Sequence, residues 1–161
     1  SPCRVRLKGN GYKKKFWHMY GGNDQEVCKE IIQTSYGYLL VSCTSSSYIS
    51  GLECYESYNI YIVKIDKTGG IIKQYVYGGD RSDYIKEVLK TSDGGCLILA
   101  DSNSNDIKGL EYQNENNYNF YILKLNSEGE KEWDRLIGDS DKDEYPYSCI
   151  QTEDGDYIIC G

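Results

Sequence analysis

The chain has 161 residues, with 18 Lys and Arg against 25 Asp and Glu and a formal charge of -7. That balance provides no positive field for a phosphate backbone and argues against nucleic acid as a partner. The longest uncharged apolar runs, Tyr38 to Val41, Asn59 to Val63 and Cys96 to Ala100, fall far short of the ~20 residues of a membrane helix, so no membrane span is expected.

Seventeen tyrosines beside two phenylalanines and a single alanine, Ala100, favour strands over helices. An all-β domain is the first reading. In chain order, strand candidates lie around Val5 to Lys8 and Lys14 to Tyr20, followed by four in each of two full periods. In the second period they run from Asp83 to Thr91, Gly95 to Asp101, Asn117 to Asn126 and Lys131 to Ile137, and a last pair follows around Pro146 to Thr152 and Asp156 to Cys160. Between them stand the turn signals Ser92-Asp93-Gly94-Gly95 and Ser127-Glu128-Gly129, and the polar stretch Ser102 to Asn116.

The periods are visible as repeats. Tyr20-Gly21-Gly22, Tyr77-Gly78-Gly79 and Ile137-Gly138-Asp139 set central glycines 57 and 60 residues apart, and Thr34, Thr91 and Thr152 follow at spacings of 57 and 61. Gly51-Leu52-Glu53 and Gly109-Leu110-Glu111 match, Lys64 and Lys124 lie 60 apart, and Arg6 lies 58 before Lys64. The apolar runs are continuous rather than alternating, as in Tyr118 to Leu125, which predicts strands covered on both faces. Four strands per period of this length is the sequence shape of a β-propeller blade.

The stretches Trp133-x-x-x-Ile137-Gly138-Asp139, Asp154-Gly155-x-Tyr157-Ile158-Ile159-x-Gly161 and Tyr121-Ile122-Leu123-Lys124-Leu125 resemble the long repeats of SBBP-type and related bacterial extracellular β-propeller proteins, over nearly the whole chain. Against that family's pattern, Asn59 and Asn119 replace an Asp, Tyr61 and Tyr121 replace a Trp, and Tyr36-Gly37-Tyr38 stands for Asp-Gly-Gly. The resemblance implies a secreted or cell-surface scaffold rather than a reaction.

The expected organisation is one repeat domain: a half repeat over 1–22, repeats over 23–79 and 80–139, and a half repeat over 140–161, a fragment of a longer propeller or a ring completed between chains. Closed propellers have about 4 to 8 blades. Three blades' worth of strands would leave two end faces open, at a cost of about 25 kcal/mol for ~500 Å² on each. Further blades or a second copy of the chain are therefore expected partners.

Chemistry-bearing groups are sparse. Seven cysteines form no C-x-x-C pair, and most sit in apolar strand patterns as small hydrophobes, with a disulfide as the alternative. His18, the single histidine, lies beside Trp17 in a strand pattern and reads as a packed or rim residue. Asp101, Asn103, Asn105 and Asp106, and more so Asp139, Asp141, Asp143 and Glu144, place oxygens as at the start of a calcium loop. Neither has Gly at the sixth position, and Tyr112 and Ile150 stand where the loop needs Glu, so turn-forming acidic loops are favoured and no cofactor beyond that calcium candidate is expected. Lys29-Glu30 and Lys86-Glu87 recur with the repeat, a structural pattern. Glu53 with Glu56 and Glu111 with Glu115 read as solvating charges rather than a glycosidase pair.

The tyrosines in and beside the long loops, Tyr48, Tyr55, Tyr58, Tyr112 and Tyr118, offer flat amphipathic area for sugars or protein partners. The leading reading is a non-enzymatic binding or scaffold module that recognises protein or carbohydrate through the loops at Thr44 to Tyr58 and Ser102 to Asn117. The alternatives are the propeller part of a hydrolase or lyase, and a self-assembling ring or filament subunit.

Overall fold

A computed structural model of the chain describes residues 3–8, 15–109, 116–139 and 141–161, with side chains described from residue 18 onward. The described residues form twelve strands: β1 (Cys3–Lys8), β2 (Lys15–Tyr20), β3 (Glu26–Gln33), β4 (Gly37–Thr44), β5 (Asn59–Asp66), β6 (Ile71–Tyr77), β7 (Asp83–Lys90), β8 (Cys96–Ser102), β9 (Asn119–Leu125), β10 (Lys131–Ile137), β11 (Ser148–Gln151) and β12 (Tyr157–Cys160). Chain neighbours pair antiparallel into two four-stranded sheets, β3-β4-β5-β6 and β7-β8-β9-β10, and two hairpins, β1-β2 and β11-β12. The all-β expectation holds, and no helix among the described residues is long and apolar enough to cross a membrane.

The continuous apolar runs have a physical cause: both sheet faces are covered. Leu39, Val41, Cys43, Ile60 and Ile62 of the first sheet pack against Cys96, Ile98, Ala100, Tyr121, Leu123 and Leu125 of the second. On the opposite face of the first sheet, Leu40, Tyr61, Val63 and Ile65 gather around Tyr20 from β2. On the far face of the second, Leu97, Leu99 and Ile122 meet Cys149, Tyr157 and Ile159 of the last hairpin. The four units are thus stacked in chain order, and β7 also touches β3, β4 and β5, β11 touches β7, and β1 touches β3. Each fully buried Leu or Ile of these faces contributes roughly 1.5–3 kcal/mol.

Two tyrosines latch successive units. At the end of β2 the Tyr20 hydroxyl donates to the Gly69 carbonyl at 2.6 Å, and at the end of β6 the Tyr77 hydroxyl donates to the Gly129 carbonyl at 2.8 Å. Both acceptors lie in the turn joining the third and fourth strands of the next sheet. His18 packs beside that turn, stacked on Tyr20 at 6.0 Å between ring centroids, as Tyr75 stacks on Tyr77.

Two equivalences inferred from sequence shift by a residue. The turn from β3 to β4 is one residue shorter than its counterpart, Thr34 N–H bonding to Gly37 O where Thr91 N–H bonds to Gly95 O. Gly37 therefore corresponds to Gly95, not to Gly94. A Cβ at Gly37 would lie 2.1 Å from Ile65 O, and one at Gly95 2.1 Å from Leu125 O, so close strand approach selects glycine at both. In β1, Arg6 pairs with Trp17, while Gln74, which precedes its repeat glycine as Trp17 precedes Gly21, pairs with Val63 rather than Lys64.

Cys43, Cys54, Cys96, Cys149 and Cys160 carry free thiols, and Cys43, Cys96 and Cys149 are buried. Burial pushes Cys43 up to about 11, Cys96 to about 12 and Cys149 to about 11, so these thiols stay protonated and act as hydrophobes. The Cys3 side chain lies outside the described ones.

Candidate functional site: the long-loop end

The sheets have two unlike ends. Tight turns join first to second and third to fourth strands at one end. At the other lie the connections 45–58 and 103–118, together with 78–82 and 138–147. The connections are held by a carboxylate device that recurs before or at the start of β3, β7 and β11 and is buried in the first two. Glu26 and Asp83, at the start of β3 and β7, are 4% and 0% exposed. Glu26 Oε1 accepts from Gly22 N–H at 3.0 Å, Asp83 Oδ2 from Gly79 N–H at 2.7 Å, and Glu144 Oε2 from Asp139 N–H at 3.1 Å.

The Ser46 hydroxyl donates to Glu26, and its oxygen accepts Asp24 N–H at 2.9 Å; Ser104 does the same between Asp83 and Arg81 N–H at 3.0 Å. Thr44 adds a donor to Glu26 at 3.0 Å. Asn59, fully buried at the start of β5, donates from Nδ2 to the carbonyls of Tyr55 and Ser57. Burial pushes the Asp83 carboxyl up to about 7, against hydrogen bonds from Ser102, Gly79 N–H and Ser104 that favour its charge. These carboxylates escaped the sequence reading. The acid that trails each repeat glycine, Glu26, Asp83 and Glu144, was the available signal, masked by one extra residue in the third copy.

Above this frame opens a cavity of about 470 Å³ lined by Asp24, Ser45, Ser47, Glu56, Ser57, Tyr58 and Ser82. Ser57 Oγ and Ser82 Oγ are 2.6 Å apart, and Ser47 Oγ accepts from Asn23 Nδ2 at 3.1 Å. The wall therefore combines four hydroxyls, two carboxylates and one phenol ring. In the second repeat the corresponding positions carry Arg81, Asn103, Asn105, Asn116, Asn117, Tyr118 and Asp143, a different chemistry on the same frame.

The five candidate tyrosines divide. Tyr48 and Tyr55 are 62% and 49% exposed at the loop surface. Tyr58 meets Tyr84 edge to face at 5.4 Å, and Tyr118 stacks on Tyr145 at 6.2 Å, so both serve inter-unit packing, Tyr58 lining the cavity as well. Tyr112 lies outside the described residues, as do Glu111 and Glu115. Glu56 lines the hydroxyl-rich cavity while Glu53 lines a separate one of about 430 Å³ with Tyr55.

The acidic positions proposed for calcium are engaged locally. Asp139 accepts Asp141 N–H at 3.0 Å and pairs with Lys142 at 3.2 Å, which together hold its carboxyl below the usual range. Asp143 accepts Tyr118 N–H at 2.8 Å. In the first cluster Asp101 pairs with Lys86 at 2.6 Å, and Asn103 and Asp106 accept from Ser82 and Asp80 N–H. No group of three or more His, Cys, Asp or Glu converges among the described residues.

The repeated Lys-Glu pairs bridge units. Glu87 accepts Cys149 N–H at 2.9 Å, and Lys29 Nζ lies 4.4 Å from the Tyr84 ring centre. Both lysines sit at matching bulges, between Cys28 and Glu30 in β3 and between Ile85 and Glu87 in β7. Comparison of the chain with protein-family models and with curated proteins found no match.

Proposed function

We propose that the chain is a section of a β-propeller acting as a non-enzymatic, secreted or cell-surface recognition module whose ligand seats at the long-loop end. The observation that carries this reading is the hydroxyl-lined cavity bounded by Tyr58, set on repeated buried carboxylates that fix its loops. Sheets stacked in chain order, with all long connections at one end, support the propeller arrangement. Serine hydroxyls and carboxylates match the alternating donors and acceptors of a polyol, and a phenol ring offers an apolar face to a sugar ring. Asp24 and Glu56 repel acidic sugars, so the fitting class is a neutral or amino sugar.

The test is an amide-resonance titration with neutral and amino oligosaccharides. Shifts centred on Ser45, Ser47, Ser57 and Ser82, and weakened about tenfold in Ser45→Ala/Ser47→Ala for two lost hydrogen bonds at ~0.5–1.5 kcal/mol each, support the reading. Absence of shifts, or shifts at the tight-turn end, refutes it.

A further inference from the structure

The hydroxyl-lined cavity carries two carboxylates that the fold leaves unpaired. Among the described residues neither the Asp24 nor the Glu56 carboxylate accepts a hydrogen bond or meets a cation, and the described lining residues include no Lys or Arg. Acids elsewhere on the surface find lysines: Glu128 meets Lys64, Glu130 meets Lys73 at 3.2 Å, Glu132 meets Lys124 at 2.9 Å and Asp134 meets Lys131 at 2.8 Å.

Both unpaired acids stand on fixed backbone. Asp24 N–H donates to Ser46 Oγ at 2.9 Å, while Asn23 and Gln25 on either side of it bond the backbone of Tyr48 and Ser45. Asn59 Nδ2 donates to the carbonyls of Tyr55 and Ser57, which flank Glu56. In the second repeat the place of Asp24 is taken by Arg81, whose N–H makes the same bond to Ser104 Oγ at 3.0 Å. Asn116, two residues before Tyr118, takes the place of Glu56, two before Tyr58. One frame therefore carries opposite or no charge at these positions, so the fold does not require the two acids of the first repeat. Tyr58 lines the same cavity and holds no protein cation over its ring among the described residues, since Lys29 lies over Tyr84 instead.

We infer that this cavity selects a cationic amine: Asp24 and Glu56 take the protonated amino group of an amino sugar, in preference to its N-acetylated counterpart. The inference rests on the saccharide reading of the cavity and narrows its ligand class. Serine hydroxyls both donate and accept, so they do not tell an amine from a hydroxyl, whereas two carboxylates and a phenol π face favour a positive charge.

Paired titrations test this, with an oligosaccharide of glucosamine and the same chain N-acetylated, followed by amide resonances and calorimetry. At low salt the amine form is expected to bind about tenfold more tightly, about threefold for each of two exposed charge pairs. The advantage shrinks as salt rises from about 0.01 M to about 0.15 M, which shortens the screening length from about 30 Å to about 8 Å. A formal charge of -7 draws any polycation to the chain, so Asp24→Asn/Glu56→Gln is the deciding variant. Neither side chain bonds to the fold, so its thermal transition matches that of the unaltered chain, and the ratio between the two ligands falls towards one. Equal affinity of the two forms, with shifts at Ser45, Ser47, Ser57 and Ser82, overturns the inference and leaves the saccharide reading in place. A tenfold ratio that survives in the variant also overturns it. Shifts from neither form refute both readings.

Discussion

Asp83 allows a pH measurement that isolates one buried group. Its carboxyl is fully buried, and burial lifts it from the ordinary 3.8 to about 7 in spite of three hydrogen bonds that favour the charge. For an acid whose value is raised by folding, the folded state binds the proton more tightly than the unfolded chain. The contribution is fully present below about pH 4 and is lost as pH rises towards about 7, above which it is level. At ~1.36 kcal/mol per pH unit the loss is about 4 kcal/mol between those limits. Asp83 Oδ1 and Asn59 Oδ1 are both buried without a hydrogen-bond partner. A Cβ on Gly78 would sit 2.4 Å from Asp83 Oδ2 and 3.4 Å from Asn59 Oδ1, so the two groups flank one glycine.

Asp83→Asn keeps an oxygen for Gly79 N–H and places an amide donor where a proton otherwise stands. Urea unfolding of both proteins at pH 5, 6, 7 and 8 reads the difference, because the other carboxylates cancel. The expected result is a difference that grows by about 3 kcal/mol in favour of the variant between pH 5 and pH 8, levelling above about pH 7. A constant difference across that range, or a variant that loses stability most at pH 8, refutes the burial argument.

Other consequences follow from single contacts. Tyr77→Phe removes the hydroxyl latch on Gly129 and lowers unfolding stability by about 1 kcal/mol in a denaturant titration, and Tyr20→Phe acts alike on Gly69. Gly95→Ala drives a methyl to 2.1 Å from a backbone oxygen and costs roughly 3 kcal/mol or more, whereas Gly155→Ala meets no atom within 4 Å and costs only the ~1–2 kcal/mol of its left-handed backbone. Cys43 and Cys96 remain unmodified by a thiol reagent at pH 8 until denaturant is added, while exposed Cys160 reacts in the folded protein.

The repeat made most of the strand plan legible, because each unit spends its apolar residues in the same order. Asp83 to Thr91 was expected and β7 spans Asp83–Lys90; Lys131 to Ile137 was expected and β10 spans that range. The continuous run through Tyr121 and Leu125 read correctly as covered on both faces, since period-two alternation vanishes only when neither face meets water. Registers were less legible. The β3 to β4 turn dropped one residue, and matching by residue name hid that Gly37 answers the close approach that Gly95 answers.

The site was less legible still, because its frame combines residues far apart in sequence. Ser46 and Asp24 meet only when the carboxylate of Glu26 is buried between strands, and no local motif announces that. Sequence marks the loop tyrosines by position alone, and Tyr58 and Tyr118 spend much of their area on Tyr84 and Tyr145. The acidic alternation at Asp139, Asp141 and Asp143 reads foremost as a turn-forming loop, and Asp139 and Asp143 each accept a backbone N–H, from Asp141 and from Tyr118.

The arrangement of units about an axis is tested most directly by a crystal structure of the protein. The propeller reading requires β3, β7 and β11 nearest a common axis, β6 and β10 outermost, and the long connections on one rim. Sheets stacked in a straight line without an axis, or β6 hydrogen-bonded to β7 in a continuous barrel, would contradict it.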